Sequence, residues 1–420
     1  MNEGTTHLHS TESPRRVLGC LAILVIALSI ACGRNLVLSQ WQLTADGNAG
    51  VEEAVSWLHG RFDLPFKGND PTDPDSRGWD TAVYNGKVYN ISAPLIGILT
   101  YILHPFHTHV LGFPEGDWSP WTFVWLLYWP LPIAGFFVFR NRLGDSAWAA
   151  LLTFVWIAGT ATLPNLTLTG RGLLGQMDHT MSQVGVLILI NDLLGRRRIW
   201  PGLVGLLITT YSRQLTFLYG FVLVWAAWKY RGPKVAALCL AGMTAIVLPL
   251  FALNYAKFGH PLDFGYRYIY VGRDDDSAVK CREFGTFSPH FFLENAYYMH
   301  LAPPEIAEIS PNSLIIRETN GYGTCLWITT PLALFIFFAW KQWWPSTPER
   351  ALMICTFLIM AALLCYHTPG HWGHGYSRFT LDFMVVWLVV TAPFMRGGWR
   401  TNATLACTAW SVWYFSGLSV

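Results

Sequence analysis

Long apolar segments alternate with shorter polar segments along most of the 420-residue chain. Several of the apolar segments approach the roughly 20 residues with which an α-helix crosses a bilayer. The pattern predicts membrane segments at about residues 17–38, 121–139, 148–163, 181–194, 235–254, 322–340, 351–366, 379–394 and 404–415. Residues 200–228 have basic residues at both ends, so they predict a hairpin of two short helices with its tip at residues 211–214.

The side of the membrane on which each loop lies follows from the basic residues. Arg15 and Arg16 precede the first segment and place its start in the cytoplasm, so the polar stretch that follows lies outside. Residues 91–106 are apolar but short, and they either span the membrane or re-enter it. We expect an all-α polytopic membrane protein with about 10–12 membrane segments. It forms a single membrane domain (1–420) without a separate soluble domain, with long outer loops at about 40–90 and 255–321 and a short outer loop at about 367–378.

The composition supports a membrane protein. The chain is 52% hydrophobic and 13% charged, whereas soluble domains carry roughly 25% charged residues. Many of the 21 tryptophans lie near the ends of apolar segments, where indole rings anchor helices at the interface. The net charge of +2 does not bear on nucleic-acid binding, and no basic tract or binding motif supports a nucleic-acid partner. The eight cysteines form no CxxC motif, and most are expected to be buried thiols, although Cys281 and Cys325 could pair outside the membrane.

Acidic residues are concentrated in the first outer stretch, residues 46–94. Its carboxylates are Asp46, Glu52, Glu53, Asp63, Asp70, Asp73, Asp75 and Asp80, a large share of the 26 acidic residues in the chain. A chain this apolar does not need so many acids beside its first helix to fold. The stretch is therefore expected to form the lid and the acid/base wall of an active site on the outer face, with a short amphipathic helix at residues 51–58.

Three arginines depart from the cytoplasmic distribution of basic residues. Arg171, Arg213 and Arg378 lie in short outer loops or at the hairpin tip, at the edge of the membrane. Retaining a guanidinium there costs a few kcal/mol unless it is paired or hydrated. A phosphate group is a suitable counter-ion because arginine binds it in a bidentate manner. The alternative is that these arginines pair with Asp178 and Asp382, or extend to lipid headgroups.

Six short motifs follow one another across residues 46–379. They are Asp46 with Glu52-Glu53 and LHGRFDLP (58–65), YNGKVY (84–89) with Pro94-Leu95, Arg171 with Asp178-His179, residues 205–215 around Arg213, NYAKFG (254–259) with Gly265-Tyr266, and WGHGYSRF (372–379). In this order they resemble the bacterial branch of the GT-C membrane glycosyltransferases. That superfamily includes protein O-mannosyltransferases, the aminoarabinose transferases of lipid A and rhizobial lipopolysaccharide-core transferases. The chain departs from it at Gly47, where relatives often have a second acid.

The resemblance implies transfer of a sugar from a polyprenyl-phosphate donor, with inversion, to an envelope glycan, lipid or protein on the outer face of a bacterial inner (plasma) membrane. Inverting transfer needs a carboxylate that takes the acceptor proton and positive charge that holds the leaving phosphate. The candidate catalytic acids are Asp46, Asp80 and Glu53, and the candidate phosphate ligands are Arg213, Arg378 and Arg171. The candidate substrate-binding residues are Asp178, His179, Tyr84, Tyr89, Trp372, Tyr376 and His374.

Several alternatives remain open. Asp178 could orient the acceptor or cap a helix. His367, His371 and His374 could hold a divalent metal, although a sugar-binding surface with stacked Trp372 and Tyr376 is favoured, and residues 274–276 favour a solvated turn over a metal site. The protein could also be a transporter or flippase of lipid-linked saccharides, or a non-catalytic protein of envelope assembly.

Overall fold

The computed structural model describes residues 12–38, 49–66, 70, 72–73, 81–119, 122, 129–170, 176–304, 306–309, 316–318, 324–370 and 376–417. In chain order the helices are α1 (Pro14–Leu38), α2 (Ala49–Leu58), α3 (Leu95–His109), α4 (Pro130–Leu143), α5 (Ser146–Ala158), α6 (Thr162–Gly170), α7 (Met177–Leu194), α8 (Trp200–Ser212), α9 (Tyr219–Arg231), α10 (Pro233–Phe258), α11 (Asp276–Phe284), α12 (Phe292–His300), α13 (Leu326–Thr329), α14 (Phe335–Phe338), α15 (Trp340–Trp343), α16 (Thr347–Leu364), α17 (Met384–Thr391) and α18 (Trp399–Gly417). Short 3₁₀ turns lie at Gln214–Leu218, Tyr266–Tyr268, Pro289–Phe291, Pro331–Leu334, Arg378–Asp382 and Ala392–Met395.

The fold is mostly helical, as expected, and its strands form two small antiparallel hairpins. Strands β1 (Thr81–Tyr84) and β2 (Lys87–Asn90) pair with Ala82 opposite Tyr89. Asn85 and Gly86 join them with φ angles of 50° and 72°, which an Asn-Gly pair adopts readily in a tight hairpin turn. Strands β3 (Ile306–Ile309) and β4 (Ile316–Glu318) form the second hairpin.

Within the described part of the chain, three helices are long and apolar enough to cross a membrane: α1, α10 and α16. They correspond to the predicted segments at 17–38, 235–254 and 351–366. Helices α5 and α6 would add a fourth crossing if they form one broken span, and they are bent by 58° relative to each other. These helices support a membrane protein.

Between the predicted membrane segments at 148–163 and 181–194, residues 164–179 are expected to form an outer loop, but helix α6 begins at Thr162 and continues to Gly170. In this helix the Thr167 hydroxyl donates to the Leu163 carbonyl at 3.1 Å and Thr169 donates to the Asn165 carbonyl at 3.0 Å. These bonds to the preceding turn let threonine remain in a helix without an unsatisfied hydroxyl.

The hairpin predicted at residues 200–228 is confirmed. Helix α8 ends at Ser212, and Arg213 has extended backbone angles (φ −144°, ψ 103°) before the next turn begins. A Cβ added to Gly202 would lie 2.6 Å from the Leu223 side chain, and one added to Gly220 would lie 2.9 Å from Leu206. The earlier residue of α8 thus meets the later residue of α9, and the later residue of α8 meets the earlier residue of α9. The two helices therefore run antiparallel.

Helix α7 lies at the centre of the molecule and is buried on nearly every face. It approaches α8 backbone to backbone, because a Cβ on Gly185 would lie 2.5 Å from the Thr209 amide nitrogen and one on Gly205 would lie 2.5 Å from the Gly185 carbonyl oxygen. Small residues permit such close crossings of membrane helices. The crossing brings the first turn of α7 beside the end of α8, where Ser182 and Thr209 share a hydrogen bond of 2.8 Å.

Two predicted membrane segments are not continuous helices. Residues 326–343 break into α13, α14 and α15 with a 3₁₀ turn that starts at Pro331, because proline lacks the amide hydrogen that would continue α13. Residues 378–395 consist of a 3₁₀ turn, the short helix α17 and a second 3₁₀ turn. All of α17 is buried by its neighbours.

One helix was predicted in the first outer stretch, and a second helix follows directly after that stretch. Helix α2 covers the predicted amphipathic segment, and it buries Glu53 and Ser56 together with its small residues. The apolar residues 91–106 correspond to helix α3, which contains Pro105. Helix α2 packs along α3. Part of the polar first stretch is therefore packed into the molecule.

Candidate functional site

The centre of the site is a buried ion pair between Arg213 and Asp382. Arg213 Nη2 lies 3.1 Å from Asp382 Oδ2, and Arg213 Nε lies 3.2 Å from Oδ1. The break after α8 exposes the Arg213 side chain toward the 3₁₀ turn Arg378–Asp382, and the Asp382 side chain is completely buried. The Tyr219 hydroxyl donates to the Asp382 carbonyl oxygen at 3.0 Å, which fixes the turn against α9. Arg213 is thus paired with a carboxylate, as the alternative for this arginine anticipated.

The first turn of α7 adds His179 and Asp178 to this pair. His179 Nδ1 lies 3.7 Å from Asp382 Oδ1, and both residues are buried. Asp178 Oδ1 is also buried and has no hydrogen-bond partner within the described residues. Asp178 does not cap α7, since the N-cap position is Gln176 and no side chain accepts a bond there. The carboxylate therefore retains a free acceptor beside the Arg213–Asp382 pair.

Arg378 brings a second guanidinium to the same place. Its Cζ atom lies 5.9 Å from the centre of the Phe379 ring, and Arg213 Cζ lies 5.3 Å from the same ring. In the part of the chain that the structure describes, Arg378 has no carboxylate partner, and its buried Nε atom has no acceptor. Both guanidinium groups therefore lie against the Phe379 ring, and that of Arg378 is not neutralised by a described residue. The shared phosphate site suggested for Arg213 and Arg378 stays a prediction.

His367 borders the cluster at the end of α16. The Tyr270 hydroxyl and His367 Nδ1 are 3.0 Å apart, and the His367 amide donates to the Thr286 carbonyl oxygen at 3.0 Å. Burial, together with the nearby Arg378 charge, lowers the pKa of His367 from 6.5 to about 4. The imidazole is therefore neutral at pH 7 and can share a hydrogen bond with Tyr270 without adding positive charge.

The lowered pKa of His367 predicts acid sensitivity. The unfolded chain binds a proton near pH 6.5, whereas the folded protein does so only near pH 4. The stability contributed by neutral His367 is complete above about pH 6.5 and is lost as the pH falls toward 4. In detergent, the unfolding temperature of His367→Gln should fall less between pH 6.5 and 4 than that of the wild type. The exposed His260 provides the control, and an equal pH slope in His367→Gln and His260→Gln would contradict this assignment.

A second buried cluster joins the first outer stretch to the end of α10. Glu53 forms an ion pair with Lys257, and Glu53 Oε2 accepts a hydrogen bond from Asn90 Nδ2 at 2.7 Å. Lys257 Nζ also donates to the Asn90 carbonyl oxygen at 2.8 Å. Both charged side chains are buried, so Glu53, which the sequence suggested as a catalytic acid, is enclosed by its partners and has no open face for an acceptor.

A small pocket lies beside the second cluster. Its polar lining includes Ser92, Gln214, Asn254 and Lys257, and its cavity volume of about 20 Å³ has room for about one water molecule. Gln214 directly follows Arg213 in the chain, so the pocket lies on the side of the second cluster from which the first begins.

The predicted substrate-binding tyrosines are packed against other rings. Tyr84 and Tyr89 contact Phe258, with ring centres 6.0 Å and 5.5 Å away, and Tyr84 also lies 4.8 Å from Tyr268. Tyr376 is 1% exposed and packs against Phe415. Tyr89 and Tyr376 are 7% and 1% exposed, so neither ring is open to stack on a sugar as it stands, whereas Tyr84 is only half-buried. The sequence reveals aromatic content but not which ring is covered.

Several predicted residues lie outside the described residues: Asp46, Asp80, Arg171, His371, Trp372 and His374. Their assigned roles stay predictions. Cys281 and Cys325 are free thiols. Asp275 caps α11, while Asp274 and Asp276 form ion pairs with Arg282 and Lys280, which explains the acidic run without a metal. The described residues contain no group of three metal-binding side chains.

Sequence reasoning missed the roles of Lys257 and Asn90, and considered Asp382 only as a neutralising partner. Lys257 lies inside the NYAKFG motif, and a lysine at the end of an apolar segment was a signal that it needs a partner. Asn90 carried no signal, because its role depends on the position of β2 beside α2 and α10. No protein-family model, curated protein or solved structure matches the chain.

Proposed function

We propose that the protein is a GT-C-type glycosyltransferase that transfers a sugar from a polyprenyl-phosphate donor to an acceptor on the outer face of a bacterial inner membrane. Arg378 carries this proposal, because it is a partly buried guanidinium without a described carboxylate partner, and it lies against the same Phe379 ring as the neutralised Arg213. A lipid-linked phosphate supplies the missing anion, and its lipid lies naturally beside apolar helices. The proposal includes a GT-C-like bundle of about 10–12 membrane segments.

The residues take separate roles in the reaction. The acceptor hydroxyl attacks the anomeric carbon of the sugar, and the bond from that carbon to the phosphate oxygen breaks with inversion. Arg378 stabilises the charge on the departing lipid phosphate, and the Arg213–Asp382 pair holds the neighbouring backbone in place. The free Asp178 oxygen accepts a hydrogen bond from the acceptor hydroxyl and orients it. Asp46 or Asp80 from the first outer stretch receives the proton.

A binding measurement tests the role of Arg378. A ligand that binds only the folded protein raises its unfolding temperature, so short-chain polyprenyl monophosphate is added to the purified protein in detergent. Charged hydrogen bonds contribute about 1.5–3 kcal/mol, so Arg378→Gln should weaken binding by roughly 10- to 150-fold. Arg267→Gln is the matched control, because Arg267 is an exposed arginine of the second outer loop that is paired with Asp263. Unchanged affinity in Arg378→Gln, or an equal loss in the control, would exclude this phosphate site.

The transfer reaction is tested in cells. Mass spectrometry should find an envelope glycan that disappears when the gene is deleted, returns with the wild-type gene or Arg267→Gln, and stays absent with Arg378→Gln at equal expression. An envelope that is unchanged by deletion of the gene would refute the proposed reaction.

A further inference from the structure

Helix α12, in the second outer loop, presents an apolar face away from the protein. Its inward face contains Asn295 and Met299, which are 2% and 1% exposed. Its outward face contains Leu293, Tyr297 and Leu301, which follow one another at four-residue intervals and are 79%, 47% and 70% exposed. Residues four apart lie on the same side of a helix. A loop helix that faced water would carry polar residues there.

Hydrogen bonds fix α12 at the level where a candidate membrane span ends. Asn295 Nδ2 donates to the carbonyl oxygens of Leu364 at 2.9 Å and Tyr366 at 2.5 Å. Leu364 is the last residue of α16. The Ser288 amide, four residues before α12, donates to the Cys365 carbonyl oxygen at 2.8 Å. Because these bonds use backbone groups at the end of α16, α12 lies at one boundary of the membrane rather than far out in water.

We infer that α12 lies in the membrane interface and inserts Leu293, Tyr297 and Leu301 among the lipid acyl chains. The lipid surface is favoured over a protein partner because α12 is bonded to the end of α16, a candidate span whose own Ile354 and Leu358 are 47% and 58% exposed. A tyrosine in the row suits the boundary between acyl chains and headgroups. An amphipathic helix with this arrangement binds a bilayer by burying its apolar face to a shallow depth.

The position of α12 has a consequence for the neighbouring site. The segment that leads into α12 is bonded to residues 365–367, since Thr286 accepts from the His367 amide and Ser288 donates to Cys365. Lipid contact along α12 would therefore hold His367 at the membrane surface. This inference needs no particular reaction at the site, and it stands whether or not the protein transfers sugar.

Photocrosslinking in native membrane vesicles tests the inference on the full chain. Benzoylphenylalanine is introduced singly at Leu293 and Leu301, and mass spectrometry of the irradiated protein identifies the adduct. Leu248 on α10 is the positive control, because it lies on a candidate span and is 57% exposed. Glu283 on α11 is the negative control, because it is an exposed charged residue of the same outer loop.

Phospholipid adducts at positions 293 and 301, as frequent as at 248 and absent at 283, are the expected result. Adducts to another polypeptide at 293 and 301 would show that a protein covers α12. A lack of any adduct there, with lipid adducts still formed at 248, would show that the helix faces water. Either of these two outcomes would overturn the inference.

Discussion

Replacing Arg213 with methionine should destabilise the protein severely, by about 3–5 kcal/mol, because it leaves a buried charge without its partner. The Asp382 carboxylate is 0% exposed, and its other ionisable neighbour, His179, is 3.7 Å away. The measurement is the unfolding temperature of the purified protein in detergent, followed by intrinsic tryptophan fluorescence. We expect the Arg213→Met protein to melt far below the wild type, or to yield little folded material.

A second substitution distinguishes an unpaired charge from simple loss of packing. Asp382→Asn in the Arg213→Met background removes the buried charge and retains a side chain of the same shape, so the double variant should recover much of the lost stability. Arg378→Met is the control, because no described carboxylate depends on Arg378. A double variant no more stable than Arg213→Met alone, or an Arg378→Met protein equally unstable, would refute the role assigned to the pair.

The sequence predicted those features that depend on local pattern. Apolar length identified α1, α10 and α16, and basic residues at both ends of residues 200–228 identified the break at Arg213. The break was predictable because two short helices within so short a segment need a turn between them. The approximate positions of the site arginines could thus be read from the chain.

The sequence did not show which site residues pair with each other. Asp382 lies 169 residues from Arg213, within a run of apolar residues that resembles the start of a span. Nothing local identifies which of several acids and bases will meet when the helices pack. Glu53 illustrates the error this causes, since its position among many loop acids suggested an exposed catalytic group, while the fold places it against a lysine of α10.

The pattern of hydrophobic and polar residues also could not show which side chains are exposed. Tyr376 lies in a polar, glycine-rich stretch that suggested an exposed ring, but Phe415 from the last helix covers it. Residues 164–179 were expected to be an outer loop, but α6 occupies their first part and its threonines bond to their own helix. The contact that covers Tyr376 comes from a distant part of the chain, and the threonine hydrogen bonds lie within one helix. Neither kind of contact alters the pattern of hydrophobic residues along the sequence.

The second large effect is expected at Glu53 and Lys257. Glu53→Gln leaves the Lys257 ammonium buried without a counter-charge, and Lys257→Met leaves the Glu53 carboxylate in the same condition, so each should cost about 3–5 kcal/mol. Glu53 is 0% exposed and Lys257 is 4% exposed. The unfolding temperature in detergent should drop sharply for each single variant. The double variant should be markedly more stable than either, because glutamine at position 53 can still accept the hydrogen bond from Asn90.

The exposed pair Lys87–Asp63 provides the matched comparison. Its atoms lie 3.3 Å apart, and the Lys87 side chain is 56% exposed. Exposed ion pairs contribute about 0–1 kcal/mol because water and salt screen them, so Lys87→Met should shift the unfolding temperature little. A Glu53→Gln protein as stable as Lys87→Met would refute the mutual dependence assigned to the buried Glu53–Lys257 pair.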